Sequence, residues 1–198
     1  ENFPLYVLSG QVIFNFFNYA TTSSMTAIIN NAALLKKIYV PKYLFVLARI
    51  FSSFINLMAS FTALLLVMVA VRAELHWTLF LSWFPLLMVV VFSLGVGMLL
   101  AALTVRFRDI MHLYSVFTTG LMYLTPVIYP MSMLPDRIRS IVLLNPLTNY
   151  LEMFRNLAFY NTLPSFSSVV VGGLEGAAAI VLGVYVFYKN QDEFILNI

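Results

Sequence analysis

The chain contains no cysteine and few charged residues. The absence of cysteine excludes disulfides, thiolate metal sites and a cysteine nucleophile. Charged residues make up 10% of the sequence, whereas about 25% is usual in soluble domains. Hydrophobic residues make up 62%, and the mean hydropathy is +0.93. This composition excludes an ordinary soluble protein and predicts an integral membrane protein.

Several catalytic and ligand-binding motifs are also absent. The only two histidines, His76 and His112, are isolated, so no metal site is predicted. The sequence has no G-x-x-x-x-G-K-[ST] phosphate loop, no H-E-x-x-H helix and no G-x-S-x-G elbow. Its 11 basic residues lie at the ends of apolar runs instead of along one face, which argues against nucleic-acid binding. We therefore expect neither an enzyme nor a protein that holds a cofactor itself.

Five apolar runs are each long enough to cross a membrane, which takes about 20 helical residues. No separate soluble domain fits between them. The sequence therefore predicts an all-α integral membrane protein, a single domain over residues 1–198 with five transmembrane helices. The predicted spans are 3–29, 44–71, 77–105, 110–131 and 166–188.

Basic residues alternate between the loops, and the more basic side of a membrane protein is usually cytoplasmic. This pattern places Glu1 outside and the C-terminus inside. Since five spans leave the two ends on opposite sides, and the chain does not begin with Met, we expect a further span before Glu1. The predicted inner set is Lys36, Lys37, Lys42, Arg49, Arg106, Arg108 and Lys189, and the outer set is Arg72, Arg137, Arg139 and Arg155.

The outer segment 125–164 is predicted to break and turn back. Pro126, Pro130 and Pro135 each remove a backbone donor and disfavour helix in the preceding residue. After Pro146, apolar residues recur at helical spacing, which predicts an amphipathic helix at the outer interface. On that helix Glu152 and Arg155 are three residues apart and are expected to pair.

A stripe of polar residues runs along one face of the first predicted span. Its four polar members fall within about 60° of one another on a helix. Amide side chains are poorly tolerated against lipid, so the stripe either forms hydrogen bonds to neighbouring helices or lines a water-filled path. The residues predicted for such a lining are Gln11, Phe14, Asn15, Asn18, Tyr19 and Thr22.

Two short basic segments separate the spans on the inner side. Segment 30–43 combines Leu34 and Leu35 with Lys36 and Lys37, which suits either a helix on anionic headgroups or a docking element for a cytoplasmic protein. The turn VRFRDI at 105–110 has the composition of a positive-inside anchor. Its acidic residue, Asp109, is predicted to cap the next helix.

The acidic residue Glu175 lies about ten residues into the last span, where an ionisable group costs at least a few kcal/mol unless it is paired, neutralised or near water. It is a candidate for a substrate or proton site, or for a position in a wet outer vestibule. Around it, Gly172, Gly176, Ala179 and Gly183 keep a spacing that permits close helix packing.

Five stretches, in this order, resemble the ABC type-2 transporter permeases, specifically the group that exports polysaccharide, O-antigen and teichoic acid. They are PLYVLSGQVIFNFF, NNAALLKKIYVPKYLFVLA, LGVGMLLAALTVRFRDI, LTPVIYPMSMLP and LNPLTNYLEMFRNLAFY, and together they cover nearly the whole chain. The family also has an N-terminal gate helix and a first span, which would lie before Glu1. Its complete fold therefore has six spans.

The resemblance implies that two permease copies form a channel in the plasma membrane, each coupled to a separate ATP-binding cassette subunit that binds ATP and Mg²⁺. The implied cargo is a lipid-linked glycan. Segment 30–43 would be the cytoplasmic coupling helix, and the outer helices would close the exit. The coupling residues are Asn31, Leu34, Leu35, Lys36, Lys37 and Pro41, with Arg106, Arg108 and Asp109; the gate residues are Tyr123, Pro126, Tyr129, Pro130, Pro146 and Arg155.

Two other functions stay open on the sequence. An ABC permease of the same fold could export a drug or a small lipophile. A proton-coupled secondary transporter would use Glu175 as its coupling site.

Overall fold

The computed structural model describes residues 3–194, so the expected positions of Glu1 and of the C-terminal residues 195–198 lie outside it. Residues 3–194 contain helices and no strand, which confirms the predicted all-α class. The helices are α1 (Phe3–Met25), α2 (Ala27–Asn30), α3 (Ala32–Leu35), α4 (Tyr43–Ala70), α5 (Trp83–Arg106), α6 (Ile110–Leu124), α7 (Asp136–Leu143), α8 (Pro146–Ala158) and α9 (Phe166–Asn190). Short 3-10 helices occupy Trp77–Ser82, Met131–Met133 and Gln191–Glu193.

Three of the five predicted spans are long and apolar enough to cross a membrane: α4, α5 with its preceding 3-10 turn, and α9. The first helix, α1, has 23 residues, but its amide and hydroxyl side chains lower its hydropathy. The helix α6 has only 15 residues and ends at Leu124, whereas the apolar run continues to 131. It ends there because Thr125 precedes Pro126 and is extended, with φ −103° and ψ 133°.

The centre of the bundle is α5, which packs against α9, α1 and α4. Its contact with α9 is a close backbone approach, because a Cβ added at Gly183 would lie 2.1 Å from the carbonyl oxygen of Gly95. Gly172 and Gly176 are also buried. The close packing predicted from the small residues of the last span is therefore confirmed.

The two ends of the bundle are distinct. At one end, a cluster of buried apolar residues joins α2, α3, the start of α4, and the ends of α5 and α9; it includes Ile28, Leu35, Val46, Val105 and Phe187. Segments 30–43 and 106–109 lie at this end. At the other end, α8 packs against α1, α5, α9 and the 3-10 turn before α5. The predicted inner and outer loops therefore lie at opposite ends of the molecule.

Segment 30–43 differs in detail from the amphipathic helix expected there. Helical structure is limited to the single turns α2 and α3, followed by a turn and a non-helical stretch up to Pro41. The Asn31 amide donates a hydrogen bond to the Ala27 carbonyl at 2.7 Å. The buried Leu35 anchors the segment in the apolar cluster.

The prediction that Asp109 caps α6 through its side chain is wrong. Asp109 occupies the N-cap position, but its side chain makes no capping hydrogen bond. Its backbone is already helical, with φ −66° and ψ −19°, whereas a capping side chain usually needs an extended backbone. Asp109 is instead exposed beside Arg108.

Candidate functional site

The end of the molecule that holds α8, which the sequence predicts to be the outer end, is organised around Arg155 of that helix, whose side chain is fully buried. Its guanidinium donates to the Pro126 carbonyl at 2.8 Å, the Tyr6 carbonyl at 2.9 Å and the Ser9 hydroxyl at 3.2 Å. A longer bond of 3.4 Å reaches the Val127 carbonyl. One side chain therefore joins α1, α8 and the segment that follows α6.

Burial of Arg155 is compensated by a carboxylate as well as by these carbonyls. The Oε1 atom of Glu152 lies 3.6 Å from its Nη1 atom, which confirms the pairing predicted from their spacing. Burial raises the pKa of the Glu152 carboxyl, although the neighbouring guanidinium acts in the opposite direction. Burial also lowers the pKa of Arg155, but an arginine side chain stays charged in proteins.

Two residues near the start of α1, Tyr6 and Gly10, lie against this guanidinium. The Tyr6 ring lies under it, with 3.5 Å between the Arg155 Cζ atom and the ring centroid, a cation–π contact. At Gly10 a Cβ atom would come within 2.8 Å of the Val127 Cα atom and 3.0 Å of the guanidinium. Only glycine therefore lets the segment after α6 approach α1 this closely.

Arg155 and the residues that contact it form what we call the outer cluster. Tyrosines and an asparagine extend this cluster. The Tyr6 hydroxyl donates to the Tyr129 carbonyl at 3.1 Å, and the Tyr129 hydroxyl donates to the Tyr123 carbonyl at 2.6 Å. The side chain of Asn145 caps α8 by accepting from the Leu147 N–H, and its amide donates to Thr125 Oγ1 at 2.8 Å. The predicted gate residues Tyr123, Pro126, Tyr129 and Arg155 are thus brought together. Pro146 begins α8, and Pro130 precedes the 3-10 turn Met131–Met133.

Part of the polar stripe on α1 faces an open seam between α1 and α4. Gln11, Asn15 and Tyr19 line this seam. Asn18 and Thr22 do not; the Thr22 hydroxyl donates to Asn18 Oδ1 at 3.4 Å. Phe14, predicted as a lining residue, is 4% exposed and lies in the core, because the buried faces of α1 are wider than a single stripe.

The opposite wall of the seam comes from α4, which the sequence interpretation missed. Ser53, Asn56 and Ser60 lie along it. Their spacing of three and four residues in an otherwise apolar helix is a signal that was present in the sequence.

The inner end presents a basic and apolar surface. Lys36, Lys37, Arg106 and Arg108 are exposed there. Exposed apolar residues accompany them: Leu34, Ile38 and the fully exposed Tyr39. The ammonium of Lys42 instead donates to the Gln191 carbonyl, which ties the start of α4 to the residues after α9. Of the predicted coupling residues, Leu35 is buried and Asn31 is partly buried, so these two hold the surface in place.

The acidic residue of α9, Glu175, lies near α8. Its carboxyl lies close to the Asn149 side chain, and its Oε2 atom is buried without a partner in the part of the chain that the structure describes. Nearby, the Tyr150 hydroxyl donates to the Gly172 carbonyl at 2.9 Å. No group of three or more potential metal ligands occurs among the described residues.

The chain is similar to known proteins of one transporter family. A family described as "ABC-2 type transporter" matches residues 2–159. Proteins named O-antigen export system permease protein RfbA are similar along nearly the whole chain. Two are from Klebsiella pneumoniae, at 23% and 24% identity, each over 98% of this chain and 74% of the relative; one from Myxococcus xanthus is 25% identical over 100% of this chain and 76% of the relative.

Proposed function

Because the chain belongs to the ABC-2 type transporter family, we propose that it is the transmembrane subunit of an ATP-driven exporter of a lipid-linked polysaccharide. The observation that carries the proposal is the similarity, along nearly its full length, to permeases named for O-antigen export. A permease of this family is a transport subunit in the inner membrane. ATP hydrolysis takes place on a separate ATP-binding cassette subunit with Mg²⁺.

The proposed membrane arrangement has five spans, with α1 and α6 joining the three more apolar helices. In support, α1 is long enough to cross a bilayer, and its amide residues Gln11 and Asn15 face the seam with α4. The helix α6 is short, but the segment after it turns back over α1 and closes that end. The basic end is cytoplasmic in this arrangement.

The proposed docking surface for the ATP-binding subunit is the exposed basic end. Lys36, Lys37, Arg106 and Arg108 favour an acidic partner surface and speed its approach. The exposed ring of Tyr39 offers an aromatic anchor of the kind that dominates many interfaces. Leu35 fixes this surface to the ends of α5 and α9, so a movement of the partner is passed directly to two long helices.

The proposed cycle links this surface to the outer cluster. ATP binding draws two partner subunits together beneath two copies of this chain, and the helices pivot. The exit opens when α8 and the segment after α6 separate from α1. The Arg155 hydrogen bonds hold these parts together in the closed state.

Charge reversal at the inner end tests the docking surface. The doubly substituted Lys36→Glu, Lys37→Glu chain is purified in lipid with a candidate ATP-binding cassette subunit from the same organism, and association and ATPase activity are measured. We expect at least a tenfold loss of association, because repulsion replaces attraction at the interface. The control, Arg137→Glu with Arg139→Glu, makes the same charge change at the opposite end and should leave association intact.

Equal association of the two double variants would overturn the docking assignment. Failure of the unaltered chain to associate with any ATP-binding cassette subunit would overturn the proposed function itself.

A further inference from the structure

The short helix α7 keeps apolar side chains exposed at the outer end of the molecule. Unlike α8, which is largely buried, α7 buries only Val142, which is 1% exposed and faces the rest of the bundle. Ile138 and Ile141 are 46% and 56% exposed. At about 100° per residue, these three side chains lie within about 100° of one another on the helix. The described chain therefore covers only one edge of the apolar face of α7.

Two exposed arginines border this apolar face. By the same helical geometry, Arg137 lies about 40° beyond Ile141 on one side, and Arg139 lies about 60° beyond Val142 on the other. Neither guanidinium forms an ion pair within residues 3–194, although Arg139 is close enough to Glu152 to favour its charged form. Apolar side chains between exposed cations are typical of a helix that lies in a membrane interface, with its cations at the headgroups.

The end of α7 lies level with the end of the apolar helix α6. The amide of Asn145, two residues after α7, donates to the Leu124 carbonyl at 3.4 Å and to Thr125 Oγ1 at 2.8 Å. Leu124 is the last residue of α6, which begins beside the basic turn of the inner end. Next to it, Tyr123 is exposed, and exposed tyrosines are enriched at the level of the headgroups. In the proposed membrane arrangement, α7 therefore lies at headgroup depth.

A lipid surface fits this face better than a second copy of the chain. An eight-residue helix cannot by itself supply the roughly 1,200 Å² that a stable interface between proteins buries. Acyl chains match the exposed side chains of Ile138 and Ile141. The phosphate of an anionic headgroup matches the planar fork of donors that Arg137 and Arg139 each present.

We propose that α7 binds anionic lipid of the outer leaflet: Ile138 and Ile141 enter the acyl chains, and Arg137 and Arg139 bind the headgroup phosphates. Only two residues separate α7 from α8, which holds Arg155, so the bound helix fixes the outer cluster relative to the membrane surface. The inference rests on the membrane arrangement given under the proposed function. It depends neither on the cargo nor on the ATP-binding subunit.

The absence of cysteine makes the two faces of α7 directly testable, because an introduced thiol is the only one on this chain. Ile138→Cys places a thiol on the apolar face. The matched control is Ser140→Cys, which lies about 200° around the same helix, is exposed, and has a native hydroxyl that donates to the Asp136 carbonyl at 3.0 Å. Each variant is labelled with bimane and reconstituted in phosphatidylcholine vesicles. The vesicles contain a fixed minor fraction of either phosphatidylglycerol or phosphatidylcholine with brominated acyl chains, which quench the label on contact.

We expect brominated lipid to quench the label at Ile138→Cys about threefold more strongly than the label at Ser140→Cys, because only the first lies among acyl chains. At Ile138→Cys, brominated phosphatidylglycerol should quench about threefold more strongly than brominated phosphatidylcholine, because the arginines enrich anionic lipid nearby. Adding Arg137→Gln and Arg139→Gln should abolish this excess. Arg137→Gln alone, which leaves Arg139 beside Glu152, should already lower it.

Equally weak quenching of both labels by brominated lipid would overturn the inference. Shielding of the Ile138→Cys label from aqueous iodide as well would then show that protein covers this face, as in contact with a second copy. Equal quenching by the two brominated lipids, or an excess that survives loss of both arginines, would overturn the binding of headgroup phosphate. Glycan export is measured separately, so its absence would contradict the proposed function and leave the lipid result standing.

Discussion

At the scale of single residues, Arg155 has the largest structural role at the outer end. A buried cation is tolerated only when hydrogen bonds and an opposite charge replace its water, and Arg155 has three carbonyls, a hydroxyl and Glu152 for this purpose. The fork of N–H donors on a guanidinium reaches partners on two sides at once. An ammonium group has no such planar fork.

Replacing Arg155 with lysine should therefore loosen the outer end although the charge is kept. Loss of the bridging bonds deprives the buried Pro126 carbonyl of its donor, at a cost of about 1–3 kcal/mol for a buried group. We expect a lower unfolding temperature of the purified protein in detergent and leakage of small polar solutes through vesicles that contain it. An unchanged melting temperature together with tight vesicles would show that Arg155 does not hold the outer end closed.

At the scale of elements, the contact between α5 and α9 holds the bundle together. Gly95 and Gly183 let the two backbones meet, and larger side chains would force them apart. In a membrane such contacts depend on van der Waals packing, because lipid is as apolar as the helix surface. Close packing of small residues therefore contributes stability that hydrophobic burial alone does not.

Gly183→Ala should destabilise the protein, because its Cβ atom would collide with the Gly95 carbonyl oxygen. Overpacking of this kind typically costs about 1–3 kcal/mol. The control is Gly173→Ala on the same helix, where a Cβ atom meets nothing within 4 Å. Thermal unfolding in detergent should show a lower midpoint for the first variant only. Similar midpoints would mean that the two helices separate freely to accept the methyl group.

The element boundaries also show how far sequence reasoning reaches. The end of α6 and the start of α8 followed from Pro126 and Pro146, because proline restricts the backbone of the residue before it. The Glu152–Arg155 pair followed from helical spacing. Local rules of backbone and helix geometry were sufficient for these features.

Features that depend on distant parts of the chain were not predictable in the same way. Arg155 meets Tyr6, which lies 149 residues earlier, so its complete burial was not evident from α8 alone. Phe14 was placed on the polar stripe, yet it faces the core, because the direction of the buried face depends on where α4 and α5 pack. The α4 wall of the seam had a visible spacing signal, but only the fold shows that it faces α1.

At the scale of the whole molecule, the two ends have complementary properties. The inner end is basic, apolar and open, as a docking surface requires, whereas the outer end is closed by buried hydrogen bonds. Three helices, α1, α5 and α9, pack against α8 at one end. At the other end α1 leads into α2, and α5 and α9 contribute to the apolar cluster that holds Leu35. A movement at one end can reach the other through these helices.

The most direct test of this account is export by the purified transporter. The chain and its ATP-binding subunit are reconstituted in vesicles that contain a lipid-linked glycan, and the appearance of glycan on the other side is measured with and without ATP. We predict export that requires ATP and is abolished by Lys36→Glu with Lys37→Glu. Export that proceeds without ATP, follows a proton gradient and is lost in Glu175→Gln would contradict the account and favour a proton-coupled transporter.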